Sequence, residues 1–379
     1  MNNNNVYDIA VTGGGLAGLT MAIQGADAGY NVLLVEKEQY PFHKVCGEYI
    51  SMESFGFLKS LGLPLADMGL PVINTLEISD GRGRPYHFDL PLGGFGISRY
   101  TLDHTLYNIA KAKGVNVCTE TKVNDIIFNG DDFTIKTNKQ DFIAKCTAGS
   151  FGKRSNLDVK WKRPFITSKS AGLNNYIGVK YHVRYQQEKN IIALHNFSNG
   201  YCGISNIEDG RCCLCYLTTA ENLRKSGNSI KQMEKDVLMQ NPQLHKIFST
   251  AGFLYKEPLT ISQVSFSKKS QVQSHILMAG DAAGMITPLC GNGMSMAMHA
   301  GKLALNNMHL FLQGGINRSG MEKCYEKQWQ QLFSKRLFTG RMVQRLFGNN
   351  NTTALFLKVM SKNAWLAQKL ISSTHGTPF

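Results

Sequence analysis

No apolar run in the 379 residues approaches the roughly 18 positions that a bilayer-spanning helix requires, which excludes a helical membrane span. The opening MNNNNVYD lacks a basic start and leads into only a short apolar stretch, so it does not read as a secretory signal, and cytoplasmic residence is expected. The nine cysteines form no framework; their odd count and wide spread, from Cys46 to Cys324, fit reduced thiols. Cys212 and Cys215 have C-x-x-C spacing, but no second Cys or His pair follows, so no metal is expected. Repeats, low-complexity tracts and long linkers are also missing, so domains must interleave rather than follow one another. Acidic residues are absent from Gln331 to Phe379, where seven Lys or Arg stand among Phe333, Phe338, Phe347, Phe356 and Trp365. This tail is expected to form basic amphipathic helices that cap a substrate domain with a solvated basic face; the alternative is a surface that docks on anionic lipid at the inner face of a membrane or guides an acidic, greasy substrate. The net charge of +14 does not point to nucleic acid, because no segment has the pattern of a nucleic-acid module.

What is present is an ordinary globular balance, 43% hydrophobic and 18% charged, in a chain long enough for two domains. Residues Asp8 to Gly18 read DIAVTGGGLAG, an apolar run entering Gly13, Gly14, Gly15, Leu16, Ala17 and Gly18, with G-x-G-x-x-G spacing at Gly13, Gly15 and Gly18. Ile9 to Val11 suit a buried parallel strand and Leu16 to Ala26 the helix after it. Gly13 allows the tight turn, Gly15 lets backbone approach a pyrophosphate, and Gly18 lets helix and strand pack closely, so phosphates meet free N–H groups and the positive end of the helix. Glu36, followed by Lys37, ends a second strand where a carboxylate can accept hydrogen bonds from ribose hydroxyls.

A second signal lies at His275 to Ala300, HILMAGDAAGMITPLCGNGMSMAMHA. An apolar strand stops at Gly280 and Asp281, placing a carboxylate where it can hold a ribityl or ribose hydroxyl. Pro288, Gly291, Asn292, Gly293 and Met294 then open a helix whose N-terminus suits the electron-rich edge of a flavin. Together the two signals imply FAD. The expected fold class is α/β: a Rossmann-like FAD-binding domain from residues 1–70, 97–160 and 273–315, an antiparallel β-sheet substrate domain from 71–96 and 161–272, and a helical C-terminal region over 316–379. The segment from Pro71 to Leu90 is expected to alternate as paired strands, and after Gly93, Gly94 and Gly96 a turn is expected to lead into a helix over Thr101 to Lys113. No second G-x-G-x-x-G follows, so a dedicated NAD(P)H domain is not expected.

GGGLAG, Glu36, ISRYTLDHTL, GDAAGMITP and CGNG together resemble the flavoprotein superfamily of para-hydroxybenzoate hydroxylase, geranylgeranyl reductases and flavin-dependent halogenases, over almost the whole chain. The resemblance implies that Arg99 touches FAD and that Asp281 is the ribityl aspartate. KVCGEYIS, residues Lys44 to Ser51, is similar to the K-x-C-G stretch of the geranylgeranyl-reductase branch, which implies that Lys44, Cys46 and Gly47 lie near the isoalloxazine; Gly47-Glu48 also resembles the G-E turn of the halogenases. Two departures matter: Ala148, Gly149 and Ser150 stand where hydroxylases carry Asp-Gly, and the W-x-W-x-I-P segment of tryptophan-type halogenases is absent.

The candidate catalytic residues are Cys46 and Glu48, either of which can protonate a reduced carbon or steady a substrate. Their structural alternatives are a small buried hydrophobe for Cys46 and an ion pair with Lys44 for Glu48. His43, His182 and His195 are further candidate acids, and Tyr201, Cys202 and Gly203 are expected to line an apolar substrate cavity. The expected activity is hydride transfer from reduced flavin to a hydrophobic isoprenoid, polyketide-like or aromatic molecule. Electrons would come from NAD(P)H or a separate reductase. The alternatives are an NAD(P)H-dependent monooxygenase, a halogenase, or a non-catalytic flavoprotein that binds membranes.

Overall fold

The computed structural model describes residues 6–167 and 175–379. The chain opens with β1 (Tyr7–Thr12), α1 (Leu16–Asp27), β2 (Val32–Val35), β3 (Tyr49–Ser51), β4 (Val72–Ser79), β5 (Pro85–Gly96) and α2 (Arg99–Ala112). There follow β6 (Asn116–Cys118), β7 (Val123–Phe128), β8 (Phe133–Thr137), β9 (Asp141–Gly149), β10 (Tyr176–Arg184), β11 (Ile191–Phe197), β12 (Gly200–Asn206) and β13 (Cys212–Thr219). Short helices lead to β14 (Gly252–Phe253), β15 (Leu259–Val264), β16 (Val272–Gln273) and β17 (Ile276–Met278). The chain closes with α3 (Gly293–Leu312), α4 (Arg318–Gln344), α5 (Asn350–Lys362) and α6 (Ala364–Thr374).

One sheet runs β16-β17-β9-β1-β2-β6, with the β7–β8 hairpin joined through β9. β1, β2, β6, β9 and β17 are parallel, and the near-continuous aliphatic runs of β1, β2 and β17 follow from burial on both faces. The other sheet runs β14-β10-β13-β12-β11-β4-β5-β3, with β15 beside β10, and is antiparallel except where β11 meets β4. β3, although inside the 1–70 segment, hydrogen-bonds to β5 of this second sheet, so that segment crosses between the two. β10 alternates: Ile177, Val179, Tyr181 and Val183 enter a core with Met233, Leu238, Leu244 and Ile247, while Gly178, Lys180 and His182 take the other face.

Two expectations need correction. The strand expected to end at Leu90 runs on to Gly96, so that Gly93, Gly94 and Gly96 lie inside β5, and they are small because neighbours crowd them: a Cβ on Gly96 would fall 1.8 Å from the Asn206 carbonyl oxygen. The helix expected from Thr101 starts at Arg99, because Ser98 caps it and Glu208 fixes Ser98 by accepting from its backbone N–H at 2.7 Å. Among the described residues no helix is long and apolar enough to cross a membrane.

Candidate active site

β1 ends at a loop shaped by two close approaches. Gly13 has φ of +107°, and a Cβ there would meet the Ser150 carbonyl oxygen at 2.6 Å; one on Gly18 would meet the Gly13 carbonyl oxygen at 2.0 Å. Gly15 is different: a Cβ there meets nothing nearer than Lys44 Nζ, at 3.9 Å. α1 starts from Gly15 with no side-chain cap on its first N–H groups, and Leu16 and Ala17 are buried behind them. Free donors, a helix dipole and open space together make an anion site. Glu36 accepts from Gly14 N–H at 2.7 Å and from Glu38 N–H at 3.0 Å, while the Tyr40 hydroxyl donates to the Gly14 carbonyl. Lys37 is exposed and pairs with Glu38 at 3.4 Å.

The distant motif closes on this loop. Gly280, with φ of +62°, follows β17, and a Cβ there would lie 3.3 Å from that of Ala17; one on Gly301 of α3 would lie 2.5 Å from the Ala17 carbonyl oxygen. The two sequence signals are therefore neighbours in space. Burial raises the Asp281 carboxyl above the usual carboxylate range, with Lys269, Arg99 and Lys153 opposing, and among the described residues that carboxyl has no hydrogen-bond partner. α3 also starts without a side-chain cap, at Asn292, whose side-chain amide is spent on the Thr374 carbonyl at 2.9 Å. Gly293 and the buried Met294 form its first turn.

Beside the open space over Gly15, Arg99 grips Asp103 at 2.7 and 2.8 Å, and Lys44 joins at 3.0 Å. Two cations share one carboxylate, so residual positive charge faces the anion site. Asp103 lies four residues after Arg99 in RYTLD, an i,i+4 pair on the buried side of α2 that the sequence analysis did not single out.

The expected Lys44–Glu48 ion pair does not form, because Lys44 turns to Asp103. Glu48 is fully buried at φ of +56° and instead accepts from Arg99 N–H at 2.7 Å, from His182 Nε2 at 2.6 Å and from Lys180 Nζ. Burial works to raise its carboxyl, but the His182 hydrogen bond and the Lys180 charge outweigh that and hold it below the usual range. Lys180 and His182 were legible as two polar residues two apart on one face of a mostly apolar strand. Cys46, following Lys44 and preceding Gly47 on the same loop, is partly buried; its thiol is pushed up by burial, and its carbonyl accepts from Cys213 Sγ at 3.2 Å. Glu48, His182 and Cys213 offer donor atoms within 4.8 Å of one another, but the Lys180 ammonium already supplies the cation there.

Two other assignments move. His195 sits away from this cluster, held by Ser79 Oγ at 3.0 Å, its pKa lowered to about 4 by burial. Tyr201 packs against Phe347 instead of fronting the cavity, since the strand order puts β11, β4 and β5 along its wall. His43 stacks on Tyr100 and meets the Tyr255 hydroxyl at 3.1 Å. The cavity, about 110 Å³, is lined by Leu76, Ile78, Phe88 and Leu194, by residues of helices α4 to α6, and by Tyr49 with Pro288, Cys290 and Gly291.

A family described as an FAD binding domain matches residues 6–329. The chain belongs to this family. This FAD-dependent oxidoreductase is 23% identical over 370 residues to conditioned medium factor receptor 1 of Dictyostelium discoideum, covering 91% of this chain and 71% of that protein. It is 24% identical over 370 residues to digeranylgeranylglycerophospholipid reductase of Methanosarcina acetivorans, covering 91% and 86%. Among solved structures, a geranylgeranyl bacteriochlorophyll reductase-like protein of Thermoplasma acidophilum superposes with a TM-score of 0.79 at 19% identity, over 97% of this chain and 95% of that one, a likeness of fold. The residues present fit FAD: the open face of Gly15, the uncapped starts of α1 and α3, and the unpartnered Asp281 carboxyl supply donors for phosphate, donors for the flavin edge and an acceptor for hydroxyls.

Proposed function

We propose that this oxidoreductase saturates carbon–carbon double bonds of a hydrophobic, isoprenoid-like molecule, using electrons from NAD(P)H or a separate reductase. One observation carries the reading: Pro288, Cys290 and Gly291 of the turn that leads into α3 line the apolar cavity, which would set a substrate there beside the proposed flavin edge. The name of the Methanosarcina acetivorans relative supports a substrate with unsaturated isoprenoid chains.

Saturating a double bond takes a hydride and a proton. Bound FAD supplies the hydride. The cavity walls exclude water and align the chain, since Leu76, Ile78, Phe88 and Leu194 offer only dispersion contacts. We assign the proton to Cys46 Sγ, three residues before the cavity-lining Tyr49; its raised pKa keeps the thiol protonated at neutral pH. Glu48 stays ionised and acts as a positioning residue, tying the Lys44–Glu48 loop to Lys180 and His182 of β10 and to the start of α2.

The test is anaerobic stopped flow with the flavin first reduced by NADPH or dithionite. Reoxidation by geranylgeranylated lipid, with two hydrogens gained per double bond in the product, is the expected result. Reoxidation by oxygen alone, with an oxygen atom in the product, overturns the reading in favour of a monooxygenase. Cys46→Ala is expected to slow the lipid-dependent phase and leave flavin reduction unchanged.

A further inference from the structure

The helices that line the cavity also carry an unusual outer face. Phe338 and Met342 of α4, Leu355 and Val359 of α5 and Trp365 and Leu366 of α6 are exposed; Leu355 is 65% and Trp365 66% accessible. Phe338 with Met342 and Leu355 with Val359 are i,i+4 pairs, so each forms a stripe along its helix. Lys335, Arg345, Lys358, Lys362 and Lys369 are exposed among them, and Lys369 lies 4.6 Å over the Trp365 ring. No Asp or Glu occurs from Gln331 to Phe379. Exposed apolar side chains on a segment that carries cations and no acid match the boundary of an anionic bilayer, where hydrocarbon takes the former and headgroup phosphates the latter. A soluble partner of mixed charge would leave the cations unanswered.

We infer that α4 to α6 dock on the surface of an anionic lipid bilayer. The same helices also line the cavity, through Val343, Leu357, Met360 and Ile371, so docking sets that cavity behind the membrane contact. An apolar substrate then passes between these helices without crossing water. Docking rests on the outer face alone; this delivery route rests on the reading of the cavity as a hydrophobic substrate site.

The test floats the full chain, loaded with FAD, with vesicles of phosphatidylcholine alone or of phosphatidylcholine with phosphatidylglycerol. Flotation with the anionic vesicles only, weakened by added salt and accompanied by a blue shift of Trp365 emission, is expected. The other tryptophans are more sheltered, Trp329 buried and Trp161 partly so, which makes that signal selective. Lys358→Gln, Lys362→Gln and Lys369→Gln together should weaken partitioning about 100-fold, from about 1 kcal/mol per cation near an anionic surface. Leu355→Ser with Trp365→Ser should abolish flotation with flavin content and melting unchanged. If those variants do not fold, quenching of Trp365 in the unaltered protein by brominated acyl chains reads the same contact. No flotation, salt-insensitive binding to neutral vesicles, or a dimer lost on the same substitutions overturns the inference. Turnover of detergent-dispersed isoprenoid is read separately, so failure of docking and failure of the proposed reaction are distinguishable.

Discussion

Gly15→Val separates cofactor binding from folding, because the structure assigns Gly15 and Gly18 different duties. Gly15 has φ of −79° and ψ of −175°, which any residue adopts, and a Cβ there enters open space. The apo protein should therefore change by less than about 1 kcal/mol, mostly through the weaker helix start. The added methyls occupy the space that a pyrophosphate needs against the first N–H groups of α1. With FAD at 100 times its dissociation constant, the unaltered protein gains about 2.7 kcal/mol, a rise of several degrees in melting temperature, and Gly15→Val should lose nearly all of it. Gly18→Ala is the contrast: its Cβ would lie 2.0 Å from the Gly13 carbonyl oxygen, so it should lose about 1–3 kcal/mol or more without any cofactor. The assay is thermal melting with and without FAD, alongside flavin absorbance after gel filtration. A Gly15→Val protein that stays yellow and keeps the FAD-dependent rise would refute the assignment of this loop to the pyrophosphate.

Asp281→Asn should leave the apo melting temperature level or higher, since it removes a partly buried, unpartnered carboxyl, while lowering FAD affinity at least about tenfold in a fluorescence titration. Glu48→Gln leaves Lys180 buried without its counter-charge and should cost about 3–5 kcal/mol in denaturant unfolding. A loss below about 1 kcal/mol would show that this cluster is not a tight ionic tie. His195 has its folded pKa lowered to about 4, so the native state excludes a proton that the unfolded chain takes up near pH 6.5. Its stabilisation is complete above about pH 6.5 and is lost as pH falls toward 4, and His195→Gln should flatten that part of the stability-against-pH curve.

The first sheet was legible because its signals are local. The aliphatic runs of β1, β2 and β17 and the glycines at 13, 15 and 18 state their own geometry: burial on both faces, a tight turn, a close helix. Arg99 and Asp281 were reached through motifs of the same kind. The end of β5 was set too early, at Leu90, because the reason for its glycines is non-local: what crowds Gly96 is Asn206, more than a hundred residues away. The Lys44–Glu48 pairing failed for the same cause, since each residue finds a better partner on another element, Asp103 on α2 and Lys180 with His182 on β10.

The sequence by itself determined a nucleotide loop, a second glycine-rich turn, the FAD they jointly demand, and a basic helical tail. Only the tertiary structure decided that Gly280 meets Ala17, that Glu48 is a buried tie, and that β4, β5, β11 and the tail wall one apolar cavity. Periodicity and turn chemistry act over a few residues and so are written along the chain. Which buried charge finds which partner depends on strand order and on helices packing across sheets, where burial makes an unpaired ion costly enough to select its partner from anywhere in the fold.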